Sequence, residues 1–257
     1  MKQRGERSAW LTAYDAAFAE ILGRAGVDGL LVGDSVGQVF AGFGTTLPVT
    51  LEQMIYHGGA VVRGAPESFV VVDLPFLTYQ TSVRDAVWNA GRVLKETGAA
   101  AVKLEGGRAF ARTVRRLVRG SIPTMGHLGL LPQSVRALGG YPLQGADEAA
   151  ATALRDDAQA LQDAGCFAIV LEKVPAPVAR AISETLEIPA IGIGAGAGCD
   201  GQILVLYDLL GLTGRFRPRF VRRYAELGQD AGRAVHAYVR DVKDGSFPSE
   251  AESYEAP

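Results

Sequence analysis

The chain has 257 residues, 48% of them hydrophobic and 21% charged, with 32 glycines, 12 prolines and two cysteines. This composition excludes a disordered chain, a collagen-like repeat and a disulfide scaffold. A formal net charge of -2 at pH 7 excludes electrostatic capture of nucleic acid or of an anionic membrane surface and leaves small solutes as the expected partners.

No apolar run approaches the roughly 18 residues of a membrane span, and the opening Met1–Arg7 leads into no signal-peptide core, so a cytoplasmic protein is expected. In chain order, β-branched and apolar runs predict a strand over Trp10–Tyr14, then a helix over Asp15–Ala25 and a strand over Gly29–Asp34. A helix over Leu51–Val62 follows, its first turn capped by Thr50 with Glu52 and Gln53, and then a strand over Phe69–Leu74. The alternation continues with a helix over Ser82–Thr97 stopped by Gly98, a strand over Ala101–Glu105, a helix over Arg108–Val118 and a strand over Pro123–His127. Next come a helix over Asp147–Ala164 stopped by Gly165, a strand over Ala168–Glu172, a helix over Val178–Leu186 and a strand over Pro189–Gly194. The glycine-rich run 191–198 leaves no clear place for a seventh helix before an eighth strand within Ile203–Tyr207. A helix-rich tail, Phe216–Lys243, precedes a polar terminus from about residue 244. Cys166 and Cys199 have no metal or redox spacing and are expected as reduced thiols.

Parallel strands alternating with helices over about 250 residues predict an α/β fold, a single (βα)8 TIM barrel spanning 1–257 with its active site at the C-terminal ends of the strands. A doubly wound open sheet shares this rhythm but normally carries Gly-x-Gly-x-x-Gly after its first strand, and no such motif follows Tyr14.

In a barrel the residues that close the strands form the site, and here they are polar: Asp34, Asp73, Glu105, His127 and Glu172. Acids at strand ends also cap following helices, which is the structural alternative for each one. Lys103 and Glu105, two apart on one strand, share the interior face. Asp34, Asp73 and Glu105 end neighbouring strands and are placed to converge as oxygen ligands of a hard cation, magnesium; zinc would want more than His127. Glu172 stands across the mouth, where a general base for a carbonyl substrate belongs, with Lys103 stabilising the resulting enolate. The bland alternative pairs Glu172 with Lys173 or Arg180.

These residues carry a resemblance. Gly33-Asp34-Ser35, Thr46-Leu47-Pro48-Val49-Thr50, Asp73-Leu74-Pro75-Phe76, Val102-Lys103-Leu104-Glu105-Gly106-Gly107, Gly126-His127-Leu128-Gly129-Leu130, Pro132-Gln133-Ser134-Val135 and Ile191-Gly192-Ile193-Gly194-Ala195-Gly196 resemble, in order, the ketopantoate hydroxymethyltransferase family of the phosphoenolpyruvate/pyruvate barrel superfamily. The resemblance runs from Thr12-Ala13-Tyr14-Asp15 to Asp244-Gly245-Ser246-Phe247-Pro248. It implies transfer of a hydroxymethyl group from 5,10-methylenetetrahydrofolate to 3-methyl-2-oxobutanoate, giving 2-dehydropantoate, the first committed step toward pantothenate. It further implies Mg2+ on Asp34, Asp73 and Glu105, keto-acid contacts from Asp34, Ser35, Asp73 and Lys103, Glu172 as proton acceptor, His127 as an active-site histidine, and a homodecamer. Val36-Gly37-Gln38, Phe43-Gly44, Leu131 and the tail after Pro248 depart from the family pattern without touching a ligand or base. A magnesium-dependent lyase or mutase of the same superfamily is the alternative, but the Lys-Lys-Cys-Gly-His-type loop of those enzymes is absent. Gly192–Gly196 is not followed by Gly-Lys-Ser/Thr, so a P-loop is disfavoured.

Overall fold

The structure, a computed structural model, describes residues 1–213 and 217–254. Eight strands pair in parallel in chain order and close on themselves: β1 Ser8–Thr12, β2 Gly29–Val32, β3 Val70–Asp73, β4 Ala101–Glu105, β5 Thr124–Gly129, β6 Ala168–Glu172, β7 Ala190–Ile193 and β8 Gly201–Leu204. Ser8 lies opposite Gly201 where the barrel closes. The connections carry α1 Ala16–Arg24, α2 Val36–Val39, α3 Leu51–Gly64, α4 Val83–Thr97, α5 Ala111–Arg119, α6 Val135–Leu138, α7 Glu148–Ala164 and α8 Ala176–Thr185. The (βα)8 barrel is therefore observed.

Local chemistry sets the helix ends. Asp15, Ser82 and Asp147 each accept a hydrogen bond from a first-turn backbone N–H, of Phe18, Asp85 and Ala150. Thr50 and Gln53 form a reciprocal capping box at α3. Gly98 (φ 78°) and Gly165 (φ 101°) end α4 and α7 in the left-handed region.

Strand parity decides what faces inward. Trp10, Leu31, Val71, Ala101, Met125, Val170 and Ile191 pack together as the apolar filling of the barrel. Side chains alternate across a strand, so the residues two further along face the same way. On β3 to β6 these are Asp73, Lys103 (with Glu105 beyond it), His127 and Glu172, while β1, β2 and β7 place Thr12, Gly33 and Ile193 there. An apolar layer thus lies beneath a polar one. The room for Trp10 is made by Gly29, where a Cβ would stand 2.4 Å from the indole ring.

Some expected bounds shift, the first strand from Trp10–Tyr14 to Ser8–Thr12 among them. The eighth strand begins at Gly201, two residues early, because strand pairing at Ser8 requires a bare position: a Cβ on Gly201 would stand 2.2 Å from Ser8 Oγ. No helix forms between β7 and β8. The tail helix predicted from Phe216 is α10, Leu227–Asp244; Phe216 lies outside the described residues, and Pro218 cannot supply the N–H that a continuous helix needs.

Backbone proximity divides the chain into two units, Met1–Val205, which contains the whole barrel, and a second from Leu206. The second contains α9 (Leu206–Leu209), α10 ending at left-handed Gly245, and a short 3-10 turn, Glu250–Glu252. Both cysteines are buried and unbridged, and burial pushes Cys166 up to about 12 and Cys199 up to about 11, so both are thiols.

Candidate active site

The strand register brings the polar layer together. Asp73 lies opposite Lys103, Glu105 opposite His127, and Gly129 opposite Glu172. Asp34, two residues past the end of β2, joins them through its backbone N–H, which donates to Asp73 Oδ2 at 3.1 Å. Asp34, Asp73, Lys103, Glu105 and His127 are all buried, and the Glu172 side chain retains 17% exposure.

The contacts form a chain. Lys103 Nζ sits 2.8 Å from Asp73 Oδ1 and 3.3 Å from His127 Nδ1. On the other side of the ring, His127 Nε2 is 3.3 Å from Glu172 Oε2. Burial, reinforced by the Lys103 charge, holds His127 well below its ordinary pKa, so the imidazole is neutral. A lysine ammonium can only donate, which makes Nδ1 the acceptor and places the ring proton on Nε2, toward Glu172. For Lys103 burial acts to lower the pKa, but Asp73, Glu105 and Asp34 outweigh it and the ammonium is stabilised.

The acids respond to the same crowding. Burial and then the Asp73 charge push Asp34 up to about 7, and burial and then Asp34 raise Glu105 well above the usual carboxylate range. Glu172 is pushed up to about 7 by burial. Among the described residues no strand-end acid caps the helix that follows its own strand: Asp73 accepts from the Asp34 N–H, and Glu105 reaches across to the Gln133 N–H at 3.0 Å, in the 3-10 turn Pro132–Ser134. Glu172 does not ion-pair with Lys173 or Arg180 among the described residues; the Lys173 ammonium turns to the Tyr141 carbonyl.

Two residues that sequence reasoning assigned no role tie the cluster together. Gln133 donates through Nε2 to Asp34 Oδ2 at 2.9 Å and to the Leu74 carbonyl at 3.0 Å. Buried Tyr79 donates to Gln133 Oε1 at 2.9 Å and accepts from the Glu105 N–H at 3.1 Å. Tyr79 sits on the loop after β3 and Gln133 in the 3-10 turn Pro132–Ser134 after β5; the one signal was Gln133 within Pro132-Gln133-Ser134-Val135, and Tyr79 carried none. Ser35 meets the Tyr14 hydroxyl at 2.8 Å, beside Gly33, where a Cβ would press to 2.7 Å on Ser35 Oγ. Gln133→Leu is expected to cost about 1–3 kcal/mol by leaving Tyr79 and Asp34 short of partners, read by denaturant unfolding. Packing explains two of the glycines of 192–196, since a Cβ at Gly196 would stand 2.4 Å from the Ala176 Cβ and one at Gly192 would stand 3.0 Å from Cys199 Sγ, and Gly194 takes a left-handed φ of 63°.

Asp34, Asp73 and Glu105 belong to one cluster, yet among the described residues no three His, Cys, Asp or Glu side chains are gathered as around an ion. Their oxygens are instead held by Gln133 and Lys103. The donor set nevertheless fits a hard divalent cation. It is built of carboxylate oxygens, it carries more buried acid than Lys103 can balance, and Asp73 Oδ1 has no well-aligned hydrogen bond. His127 Nε2 is equally without one among the described residues.

The family pattern described as ketopantoate hydroxymethyltransferase matches residues 1–250. The 3-methyl-2-oxobutanoate hydroxymethyltransferase of Moorella thermoacetica is 55% identical over 99% of this chain and 94% of its own, and that of Chlorobaculum tepidum is 54% identical over 99% and 93%. Among solved structures, a putative phosphonomutase from Burkholderia cenocepacia superposes with TM-score 0.62 at 16% identity, covering 95% of this chain and 96% of its own. A 2,3-dimethylmalate lyase of the PEP mutase/isocitrate lyase superfamily superposes with TM-score 0.60 at 15% identity, covering 98% and 88%. These two share the barrel. The relatives share more than half of their residues across essentially the whole chain, and on that ground this chain belongs to the ketopantoate hydroxymethyltransferase family.

Proposed function

We propose that this hydroxymethyltransferase of 3-methyl-2-oxobutanoate uses Glu172 as the base, Lys103 as the positive charge beside the developing enolate, and Mg2+ on Asp34, Asp73 and Glu105. The observation that carries this reading is the Lys103–His127–Glu172 line, a buried cation and a high-pKa carboxylate on opposite sides of one neutral imidazole. The one-carbon donor in this reading is 5,10-methylenetetrahydrofolate, the product is 2-dehydropantoate, and the reaction is the first committed step toward pantothenate. A homodecamer in the cytoplasm belongs to the same proposal and rests on the family resemblance. No helix among the described residues is long and apolar enough to cross a membrane.

Bound to the three acids, a divalent cation supplies positive charge that polarises the oxygens of a 2-oxo acid and acidifies its neighbouring carbon. The protein's own groups do the rest. Ser35, held by the Tyr14 hydroxyl, orients the substrate carboxylate. Glu172 Oε takes the proton from C3, and the electron pair left behind moves onto the keto oxygen, where Lys103 Nζ offsets the new charge. His127 accepts from Lys103 at Nδ1 and turns its Nε2–H toward Glu172, 3.3 Å away. Water supplies the hydroxyl oxygen: it opens the methylene bridge of the donor, and tetrahydrofolate leaves. The enolate carbon bonds to the freed formaldehyde-level carbon as the keto group re-forms and the one-carbon oxygen takes a proton.

Asp34→Ala, Asp73→Ala and Glu105→Ala are each expected to weaken Mg2+ binding by roughly tenfold or more, measured by titration calorimetry on folded protein. Unchanged metal affinity in all three, or full activity after chelator treatment, would remove the magnesium assignment.

A further inference from the structure

One groove on the barrel unit shares no residue with the carboxylate cluster. It runs between α4 and α5 on the outer wall and has a volume of about 1340 Å³. Seven cationic side chains line it against only Asp85 and Glu96, in a chain whose net charge is -2.

α5 turns Thr113, Val114 and Leu117 inward, and exposes Arg112, Arg115, Arg116 and Arg119 along the groove. These arginines stand three and four apart, where like charges destabilise a helix. None is ion-paired among the described residues, and neither is Arg84 or Lys95 across the groove, whereas Arg92 is taken by Glu52 and Glu96. Packing of α5 needs only its apolar face, so the fold gives no reason for the row.

The facing stripe of α4 is Arg84, Trp88, Gly91 and Lys95, spaced along one side of the helix. Trp88 is 71% exposed. Gly91, one turn later, lies in the interior of the helix, where glycine is costly relative to alanine. No neighbour requires it, since nothing lies within 4 Å of where its Cβ would be. The helix surface is bare beside an exposed aromatic ring.

A flat ring and a row of planar guanidinium groups recognise two different parts of one molecule: aromatic bases stack on tryptophan, and arginine forks bind phosphate oxygens in pairs. We propose that the groove between α4 and α5 binds a nucleoside polyphosphate, with its base on Trp88 over Gly91 and its phosphates along the α5 arginines. A second copy of the chain fits less well, because pairing this face with itself would set its arginines against like charges.

The probe is adenosine triphosphate, titrated at constant ionic strength while tryptophan fluorescence is followed. Of the two tryptophans, Trp10 is buried and Trp88 exposed, so saturable quenching is expected and should vanish in Trp88→Phe. Inorganic triphosphate should compete without quenching, and adenosine alone should neither bind nor quench. The double variant Arg115→Gln/Arg119→Gln should bind adenosine triphosphate roughly tenfold or more weakly by calorimetry, with its far-UV dichroism and nucleotide-free transfer rate unchanged. No saturable response to adenosine triphosphate, or equal affinity in the double variant, would overturn the proposal. So would a fall in sedimentation coefficient on making that variant, which would show the groove covered by a second copy.

Discussion

Glu172→Gln is expected to bind 3-methyl-2-oxobutanoate with an affinity close to that of the parent, yet to transfer the hydroxymethyl group about 10²–10⁴-fold more slowly, the usual worth of a general base. The amide keeps the shape of the side chain, and the strand register depends on the backbone: the residue 172 carbonyl still accepts from Leu130 N–H at 2.8 Å. The pH dependence follows from the same group. Burial raises its pKa from 4.5 to about 7, so the base form accumulates as pH rises through 7, and the parent rate should climb across that interval. Stability runs the other way. A carboxyl that holds its proton more tightly when folded than when unfolded contributes stability below about pH 4.5, and this is lost as pH rises through 7. Glu172→Gln should therefore be no less stable than the parent at pH 8. Calorimetric binding, turnover from pH 5.5 to 8.5 and urea unfolding check the three statements. A pH profile unchanged in the variant would assign the base elsewhere, with His127 first.

Lys103→Met should damage both the fold and the chemistry. Beyond its catalytic role, this lysine, at 3% exposure, is the cation buried among Asp73, Asp34 and Glu105. Removing one partner of a buried pair leaves the other charge uncompensated, which typically costs about 3–5 kcal/mol. In metal-free protein the loss should shrink as pH falls from 8 to 6, because protonating carboxyls whose pKa values are already raised removes the uncompensated charge. Urea unfolding at the two pH values measures this. At a temperature where the variant stays folded, turnover should still be far below the parent's. A variant as stable as the parent at pH 8 would mean that Lys103 does not compensate the acids.

The barrel and its polar layer were legible because two periodicities coincide. The helix–strand alternation marks seven strands and the helices between them, and within β3, β4 and β6 the period of two carries Val71 to Asp73, Ala101 through Lys103 to Glu105, and Val170 to Glu172. An apolar filling therefore identifies the inward acids without a structure. Gly201 and Gln202 hid the start of β8, since neither residue favours a strand by itself and only pairing with Ser8 and Ala9 places them there. Tyr79 and Gln133 were hidden for a related reason. Their partners lie 26 and 54 residues away for Tyr79 and 59 and 99 away for Gln133, and no local pattern in a loop announces a hydrogen bond across the barrel mouth. Nor did spacing show that Gln133 and Lys103 hold the acid oxygens that were expected to converge on one point.

Proton removal before any one-carbon chemistry is the central claim, and solvent exchange at C3 of 3-methyl-2-oxobutanoate reads it directly. In deuterated water with Mg2+ and no folate, the parent should replace the C3 proton with deuterium, as followed by proton NMR. Chelator should stop the exchange, and Glu172→Gln should slow it by about 10²–10⁴-fold. Exchange by the variant at the parental rate, or exchange by the parent only when the folate donor is present, would contradict the account.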